Sequence, residues 1–85
     1  MKQITLTADS PSRDIFAWNV RRSRVLRQMT LLELGTMIGN STGVHLSRIE
    51  RGESAPTLDT VDRLAKALGK TAVELITAPE GGDAS

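Results

Sequence analysis

The sequence predicts an all-α domain built from five short helices. Two capping boxes, each a Thr followed three residues later by Glu, mark helix starts at Thr30 and Thr71. Between such signals apolar residues recur at helical spacing, and Gly or Pro interrupts them at short intervals. No alternating strand pattern occurs between Phe16 and Ile76. A chain of 85 residues, 39% apolar and 25% charged, fits one small globular domain.

The first two helices are expected over residues 12–28 and 31–38. A proline near the start of the first helix is acceptable, because an N–H in the first turn has no helical partner. The second helix follows the Thr30 cap and ends at Gly39, a residue suited to the left-handed position after a helix. The apolar positions expected on these helices are Phe16, Val20, Leu31, Leu34 and Ile38.

Three more helices are expected over residues 43–51, 58–68 and 72–76. Gly52 and Pro56 interrupt the pattern after the third helix, and the threonine before each of the last two can serve as its N-cap. The expected buried positions in the third and fourth helices are Val44, Leu46, Ile49, Leu58, Val61, Leu64, Ala65 and Leu68.

The ends of the chain are expected to lie outside the helical unit of residues 13–77. In residues 1–12, Ile4, Leu6 and Ala8 alternate with polar residues. This N-terminal arm is therefore either a short strand or a disordered segment. Residues 78–85 are expected to form a flexible C-terminal tail.

Composition favours binding over catalysis. The chain has no Cys and one His, so His45 has no second ligand at a helical spacing for a metal site. We interpret His45 as a polar residue of a binding face or as a plainly exposed one. No nucleophile–base pair stands out, and we expect no catalytic residue, cofactor or metal. No membrane span or signal peptide is visible either, so the expected location is cytoplasmic.

Charge is nearly balanced overall, with a net charge of +1, but it is unevenly distributed. Residues 13–51 contain seven arginines and three acidic residues, a balance of +4, whereas residues 57–85 have a balance of −2. Arginine makes forked contacts with phosphates and guanine edges that lysine cannot. The first block is therefore a candidate nucleic-acid surface, although a merely solvated helix face fits the charge equally well.

Residues 30–51 combine the features of a helix-turn-helix, two short helices joined by a tight glycine-containing turn. The second helix of such a unit lies in the major groove, so it needs an apolar inner face and a small or polar outer face. Leu46 and Ile49 form the expected inner pair. The expected outer residues are Thr42, His45, Ser47, Arg48 and Arg51.

Several segments resemble the lambda repressor/Cro-like (XRE-type) helix-turn-helix family. The most similar are Leu46-Ser47-Arg48-Ile49-Glu50-Arg51-Gly52, Pro56-Thr57-Leu58 and Leu64-Ala65-Lys66-Ala67-Leu68-Gly69. Shorter matches to the family's first two helices are Val20-Arg21-Arg22 with Arg24, and Met29-Thr30 with Leu34. The resemblance implies a compact five-helix lambda-repressor-like DNA-binding domain that recognises an operator, usually as a two-fold homodimer.

The resemblance also implies roles for single residues. Arg24 and Glu50 match an ion pair that holds the reading helix, which we treat as structural. Thr42, Val44 and Arg48 match positions that face base edges, and Arg48 is the expected guanine contact. Val44 has two interpretations, contact with a thymine methyl or inward packing. The complete set expected at DNA, including residues at phosphates or flanking edges, is Ser41, Thr42, Val44, His45, Ser47, Arg48 and Arg51.

The sequence departs from the family pattern at three places. Leu31 stands where the family usually has a Gln that contacts a phosphate, and Ser23 replaces a buried aliphatic residue of the first helix. The spacing from Gly39 to Gly52 is one residue longer than is usual, which leaves the register of residues 41–44 open by one position.

A homodimer is expected on energetic grounds. One short helix reads a few base pairs at ~1–3 kcal/mol each, against ~10⁶ or more competing sites. Two copies about 34 Å apart recognise twice as many base pairs. We expect the contact at the fifth helix, through Val73, Leu75 and Ile76, because this short segment is too apolar to serve its own core alone.

The predicted function is autoregulatory control of transcription, by a phage-type repressor, a restriction–modification controller or an antitoxin. The expected partners are an operator duplex, a second copy, and RNA polymerase or a cognate protein. The competing interpretation is a protein-interaction module, an antitoxin or anti-activator that hardly touches DNA. The small net charge and Leu31 favour the module, whereas Arg48 and Arg51 favour DNA. Salt dependence of binding separates the two.

Overall fold

The computed structural model describes residues 6, 9–39 and 42–79. Within these residues the chain forms five α-helices and no strand. The helices are α1 (Ser12–Leu26), α2 (Leu31–Met37), α3 (Val44–Glu50), α4 (Leu58–Leu68) and α5 (Ala72–Leu75). The predicted all-α, five-helix fold is confirmed, and each helix ends within two residues of its predicted bounds.

The threonine N-caps of α2, α4 and α5 form as the sequence indicates. Thr30 Oγ1 accepts a hydrogen bond from the Glu33 N–H at 3.0 Å, and Glu33 Oε1 accepts one from the Thr30 N–H at 2.7 Å. Thr71 and Glu74 make the same reciprocal pair at 3.1 and 2.8 Å. These bonds satisfy backbone donors that a helix start leaves without partners, which matters most for α5, a helix of four residues.

One apolar core joins all five helices. Its buried members are Phe16, Val20, Leu34, Ile38, Leu46, Ile49, Val61, Leu64, Ala65, Leu68 and Leu75. Helix α3 packs mainly on α1 and α2, whereas α5 packs on α4 and α1. The core therefore holds α3 by its inner face and leaves the opposite face of that helix outward.

Two positions expected to be buried are exposed instead. Leu58 is 82% exposed, although it shares the spacing of the buried α4 residues. It is the first residue of α4, and a helical side chain leans toward the N-terminus, so its side chain extends past the packed layer. Val44 is 57% exposed at the start of α3, which excludes the inward packing considered for it.

Both predicted terminal segments lie largely outside the described residues. In the arm, Leu6 is described and is 4% exposed, so it packs against the domain, but Ile4 and Ala8 are not described. The choice between a strand and a disordered arm therefore stays a prediction. The predicted tail is described only at Ala78 and Pro79.

Candidate nucleic-acid interface

The turn between α2 and α3 is set by two glycines. Gly39 and Gly43 have φ values of +90° and +73°, in the left-handed region that L side chains rarely adopt. A Cβ on Gly43 would lie 3.3 Å from the carbonyl carbon and oxygen of Leu31. Because Gly43 lacks that atom, the start of α3 can approach the backbone of α2 closely. This contact helps to set the position of α3 beside α2.

Helix α3 has one buried and one exposed face. Leu46 and Ile49 are 0% and 1% exposed and anchor the helix in the core. At 100° per residue, the opposite arc is centred on Val44 and Arg51, with Arg48 beside them. The residues on this arc are Val44, His45, Ser47, Arg48 and Arg51, of which Ser47 is half-buried and the others exposed.

Most of the predicted DNA-contact set therefore lies together on one outward surface. Thr42, just before the helix, is also exposed, and its Oγ1 accepts a hydrogen bond from the Val44 N–H at 3.3 Å. Ser41 lies outside the described residues. We call this outward surface, Thr42 with the exposed arc of α3, the α3 face.

Arg24 and Glu50 form the ion pair expected between the first and third helices. Arg24 Nε lies 2.7 Å from Glu50 Oε2, and Arg24 Nη2 lies 3.0 Å from Oε1. Arg24 Nη1 also donates to the Met29 carbonyl at 2.7 Å. The two side chains are only 13% and 5% exposed. One guanidinium thus connects α1, α3 and the loop that leads into α2.

The C-terminus of α3 is closed by a Schellman motif. The Gly52 N–H donates to the Ile49 carbonyl and the Glu53 N–H to the Arg48 carbonyl, both at 3.0 Å. Gly52 has a φ of +73°, and a Cβ there would meet Asp14 Oδ1 at 2.9 Å. The end of α3 is therefore closed by its own carbonyls, and the missing Cβ of Gly52 leaves room for the Asp14 carboxylate of α1.

Arg51 is engaged by an acidic residue that sequence reasoning missed. Its Nε donates to Glu53 Oε2 at 2.9 Å, and its Nη1 donates to Ser47 Oγ at 3.1 Å. Both charged side chains are more than half exposed. Such surface pairs contribute about 0–1 kcal/mol, so Arg51 can exchange its carboxylate for a phosphate at small cost. The only sequence signal was an acid two residues beyond an Arg, across a glycine.

Asn19 is a second residue that sequence reasoning missed. Its side-chain amide donates to the Leu75 carbonyl at 2.8 Å and the Thr77 carbonyl at 2.9 Å. Leu75 is the last residue of α5, where a helix leaves acceptors without intrahelical partners, and Thr77 follows two residues later. Asn19 therefore caps α5 from a helix more than fifty residues away in sequence.

The expected dimer surface needs one correction. Leu75 is 1% exposed within a single chain, so it is a core residue and has no area to offer a partner. A helix this short supplies one buried anchor, and Leu75 is that anchor. Val73 and Ile76 are 68% and 50% exposed and stay available.

A groove of about 860 Å³ lies between α1 and the α5 region. None of its lining residues belongs to α2 or α3. Its apolar lining includes Val73 and Leu26, which is 70% exposed. Trp18 is half-buried in its wall, with the Arg22 guanidinium 5.2 Å from the ring centre. Trp18 also borders a smaller cavity beside Leu6, so it lies between Leu6 and the groove.

The described residues lack two other features. They contain no group of three or more His, Cys, Asp or Glu residues arranged to hold a metal ion. No helix among them is long and apolar enough to cross a membrane. His45 is exposed on the α3 face.

The fold and the α3 face define a helix-turn-helix domain. A family model described as helix-turn-helix, HTH_3, matches residues 20–75, from the middle of α1 to the end of α5. The chain belongs to this family, which confirms the resemblance to lambda repressor/Cro-like domains. A comparison with curated proteins gave no match.

The solved structures that are similar to this chain include transcription regulators. A hypothetical transcription factor, NHTF from Neisseria, is 30% identical, with a TM-score of 0.76 over 91% of this chain and 92% of that one. The competence regulator ComR from Streptococcus vestibularis is 33% identical, with a TM-score of 0.70 over 78% of this chain and 22% of ComR. Family and neighbours together support a DNA-binding transcriptional regulator, a class that is typically not enzymatic.

Proposed function

We propose that this protein regulates transcription as a homodimer that binds a two-fold-symmetric operator, with α3 in the major groove. The observation that carries the proposal is the α3 face, which presents Val44, His45, Arg48 and Arg51 outward while Leu46 and Ile49 anchor the helix. Such a face meets the requirement for a reading helix, small or polar outside and apolar inside.

The residues of the α3 face divide into two roles. Arg48 makes a forked contact with a guanine, and Val44, being exposed, meets a thymine methyl group. Thr42 faces the adjacent base edges. The remaining members hold phosphates or flanking edges and so set the register of the helix in the groove: His45, Ser47 and Arg51. Ser41 joins this set through the family resemblance.

The second copy binds through the α5 side of the domain. Val73 and Ile76 are exposed there, and Leu26 extends the apolar surface along the rim of the groove. Because α5 packs on α4 and α1, this arrangement keeps the α3 face open to DNA. The two reading helices then reach half-sites about 34 Å apart. We also propose that the protein regulates its own gene, so that its concentration sets the occupancy of its own operator.

A second candidate function is favoured by the same groove. An apolar surface flanked by Arg22 and Lys70 also suits a protein or peptide partner, such as RNA polymerase or a cognate regulator. A structure of ComR from S. thermophilus, 36% identical over 76% of this chain, is described as a complex with DNA and the signalling peptide ComS. This chain covers 24% of that ComR chain, so the peptide is a property of ComR.

Selection of bound sequences from a random duplex library, at two salt concentrations, tests the proposal. We expect an enriched two-fold-symmetric site with half-sites about one helical turn apart, and an affinity that falls steeply with salt. A library without enrichment would contradict operator reading. Salt-insensitive capture of a protein partner would then support the interaction module.

A further inference from the structure

The guanidinium of Arg51, which would bind a DNA phosphate, already forms a salt bridge with the Glu53 carboxylate. Glu53 Oε2 accepts from Arg51 Nε at 2.9 Å, and Oε1 accepts from Nη2 at 3.3 Å. The remaining nitrogen, Nη1, donates to Ser47 Oγ at 3.1 Å. All three guanidinium nitrogens therefore have acceptors within the chain. The carboxylate engages the same donors that a phosphate would take in a forked contact.

The backbone holds Glu53 at this position. It is the last residue of the Schellman motif, where its N–H donates to the Arg48 carbonyl at 3.0 Å. The preceding Gly52 has a φ of +73°, in the left-handed region that favours glycine, and its missing Cβ leaves room for the Asp14 carboxylate. The carboxylate is thus carried by a defined turn beside the last residues of α3.

We propose that Glu53 is an internal counter-ion that lowers the affinity of the α3 face for DNA phosphates on every sequence alike. The inference rests on the proposed DNA binding by α3. A phosphate that takes Arg51 must first displace the carboxylate, which then remains as a negative charge close to the DNA backbone. Since the Arg51 and Glu53 side chains are 58% and 55% exposed, the pair opens readily and does not block binding.

The consequence is weaker sequence-independent binding with unchanged base recognition. Arg48, the proposed guanine reader, meets Glu53 through the backbone, where the Arg48 carbonyl accepts from the Glu53 N–H. Glu53 therefore acts on the phosphate contribution, which carries no base information. A protein with this counter-ion spends less time on unrelated DNA, while its preference among sequences stays the same.

The test compares Glu53→Gln with the wild-type protein on a fluorescent mixed-sequence duplex and on the selected operator, by anisotropy across a salt series. The substitution keeps the size of the side chain and removes its charge. We expect about threefold to fivefold tighter binding per subunit to both duplexes at low salt. The slope of log affinity against log salt steepens by about one per subunit.

Asp62→Asn is the matched control, because it makes the same change in net charge on the exposed side of α4. At about 0.1 M salt we expect it to change affinity by less than about twofold, since charges more than ~10 Å from the contact are screened there. In an Arg51→Ala background the gain from Glu53→Gln shrinks, because the competition for the guanidinium is gone. Thermal unfolding confirms that each variant is folded.

Three results would overturn the inference. Unchanged or weaker binding by Glu53→Gln would show that the carboxylate does not oppose phosphates, even though the wild-type protein binds DNA. An equal gain from Asp62→Asn would show an effect of net charge alone. A wild-type protein that binds no duplex at low salt would overturn the proposed function, and this inference with it.

Discussion

The α3 side and the α5 side of the domain are held in different ways and present different surfaces. Helix α3 is held by a largely buried ion pair, a close approach of Gly43 to α2 and a Schellman motif, and its outer face is mostly polar and cationic. Helix α5 has one fully buried side chain, a capping box and the Asn19 amide, and its exposed residues Val73 and Ile76 are apolar. A polar surface on a fixed support suits DNA, whereas an apolar surface suits a protein.

The largest expected effect concerns the ion pair that holds α3 against α1. Glu50→Ala leaves Arg24 charged and little exposed without its carboxylate, which should lower the free energy of unfolding by ~3–5 kcal/mol. Urea unfolding measures this loss. The double variant Arg24→Ala/Glu50→Ala removes both charges and should lose less than the sum of the two single variants. A fully stable Glu50→Ala protein would contradict the structural role of the pair.

The second prediction concerns base recognition by the α3 face. Arg48→Ala should remove ~1–3 kcal/mol of discrimination at one operator position, because a forked guanine contact is lost. Binding to operators with each base at every position measures it, and thermal unfolding should be unchanged because Arg48 is exposed. Arg63→Ala, an exposed arginine on α4, is the control. If base preference stays the same in Arg48→Ala, another residue reads the guanine.

The third effect tests the α5 side. Ile76→Asp should weaken dimerisation at least about tenfold, ~1.4 kcal/mol, because a carboxylate replaces an apolar contact. Sedimentation velocity over a concentration series measures the shift toward monomer. Val25→Asp is a matched control, since Val25 is 52% exposed against 50% for Ile76 but belongs to α1 and not to the proposed dimer surface. A dimer that persists in Ile76→Asp would move the interface elsewhere, with the arm as the next candidate.

The smallest effect is a pH dependence of stability from the α5 capping box. Hydrogen bonds from Thr71 lower the pKa of Glu74 below its usual value of 4.5. The charged carboxylate therefore stabilises the fold above the unfolded-state pKa, and this contribution is lost as pH falls through the lower, folded-state pKa. Thermal unfolding from neutral to acidic pH should show a shallower acid loss for Glu74→Gln. Identical profiles for the two proteins would exclude Glu74 as a source of the loss.

Local sequence signals predicted the helices well because caps and turns depend on neighbouring residues. Thr30 and Thr71 cap as their spacing to Glu33 and Glu74 indicates, because the reciprocal bonds span only three residues. The prediction that Leu58 is buried was wrong. Helical spacing predicts the face on which a residue lies, but it does not predict where along the helix the packing ends.

The candidate site was predicted in part. Val44, His45, Arg48 and Arg51 do share an outward arc, because α3 is a regular helix whose inner residues were recognisable. Glu53 was missed, since its contact with Arg51 depends on the turn that follows the helix.

The sequence by itself determined the features that depend on interactions between nearby residues. These are the five helices, the threonine caps, the inner face of α3 and the motifs that identify the family. What only the tertiary structure decided depends on elements distant in the chain. The Asn19 cap on α5 spans more than fifty residues, and no local pattern encodes such a contact. The burial of Leu75 was decided in the same way, because several apolar residues of a short helix compete for the core and packing against α1 and α4 selects one.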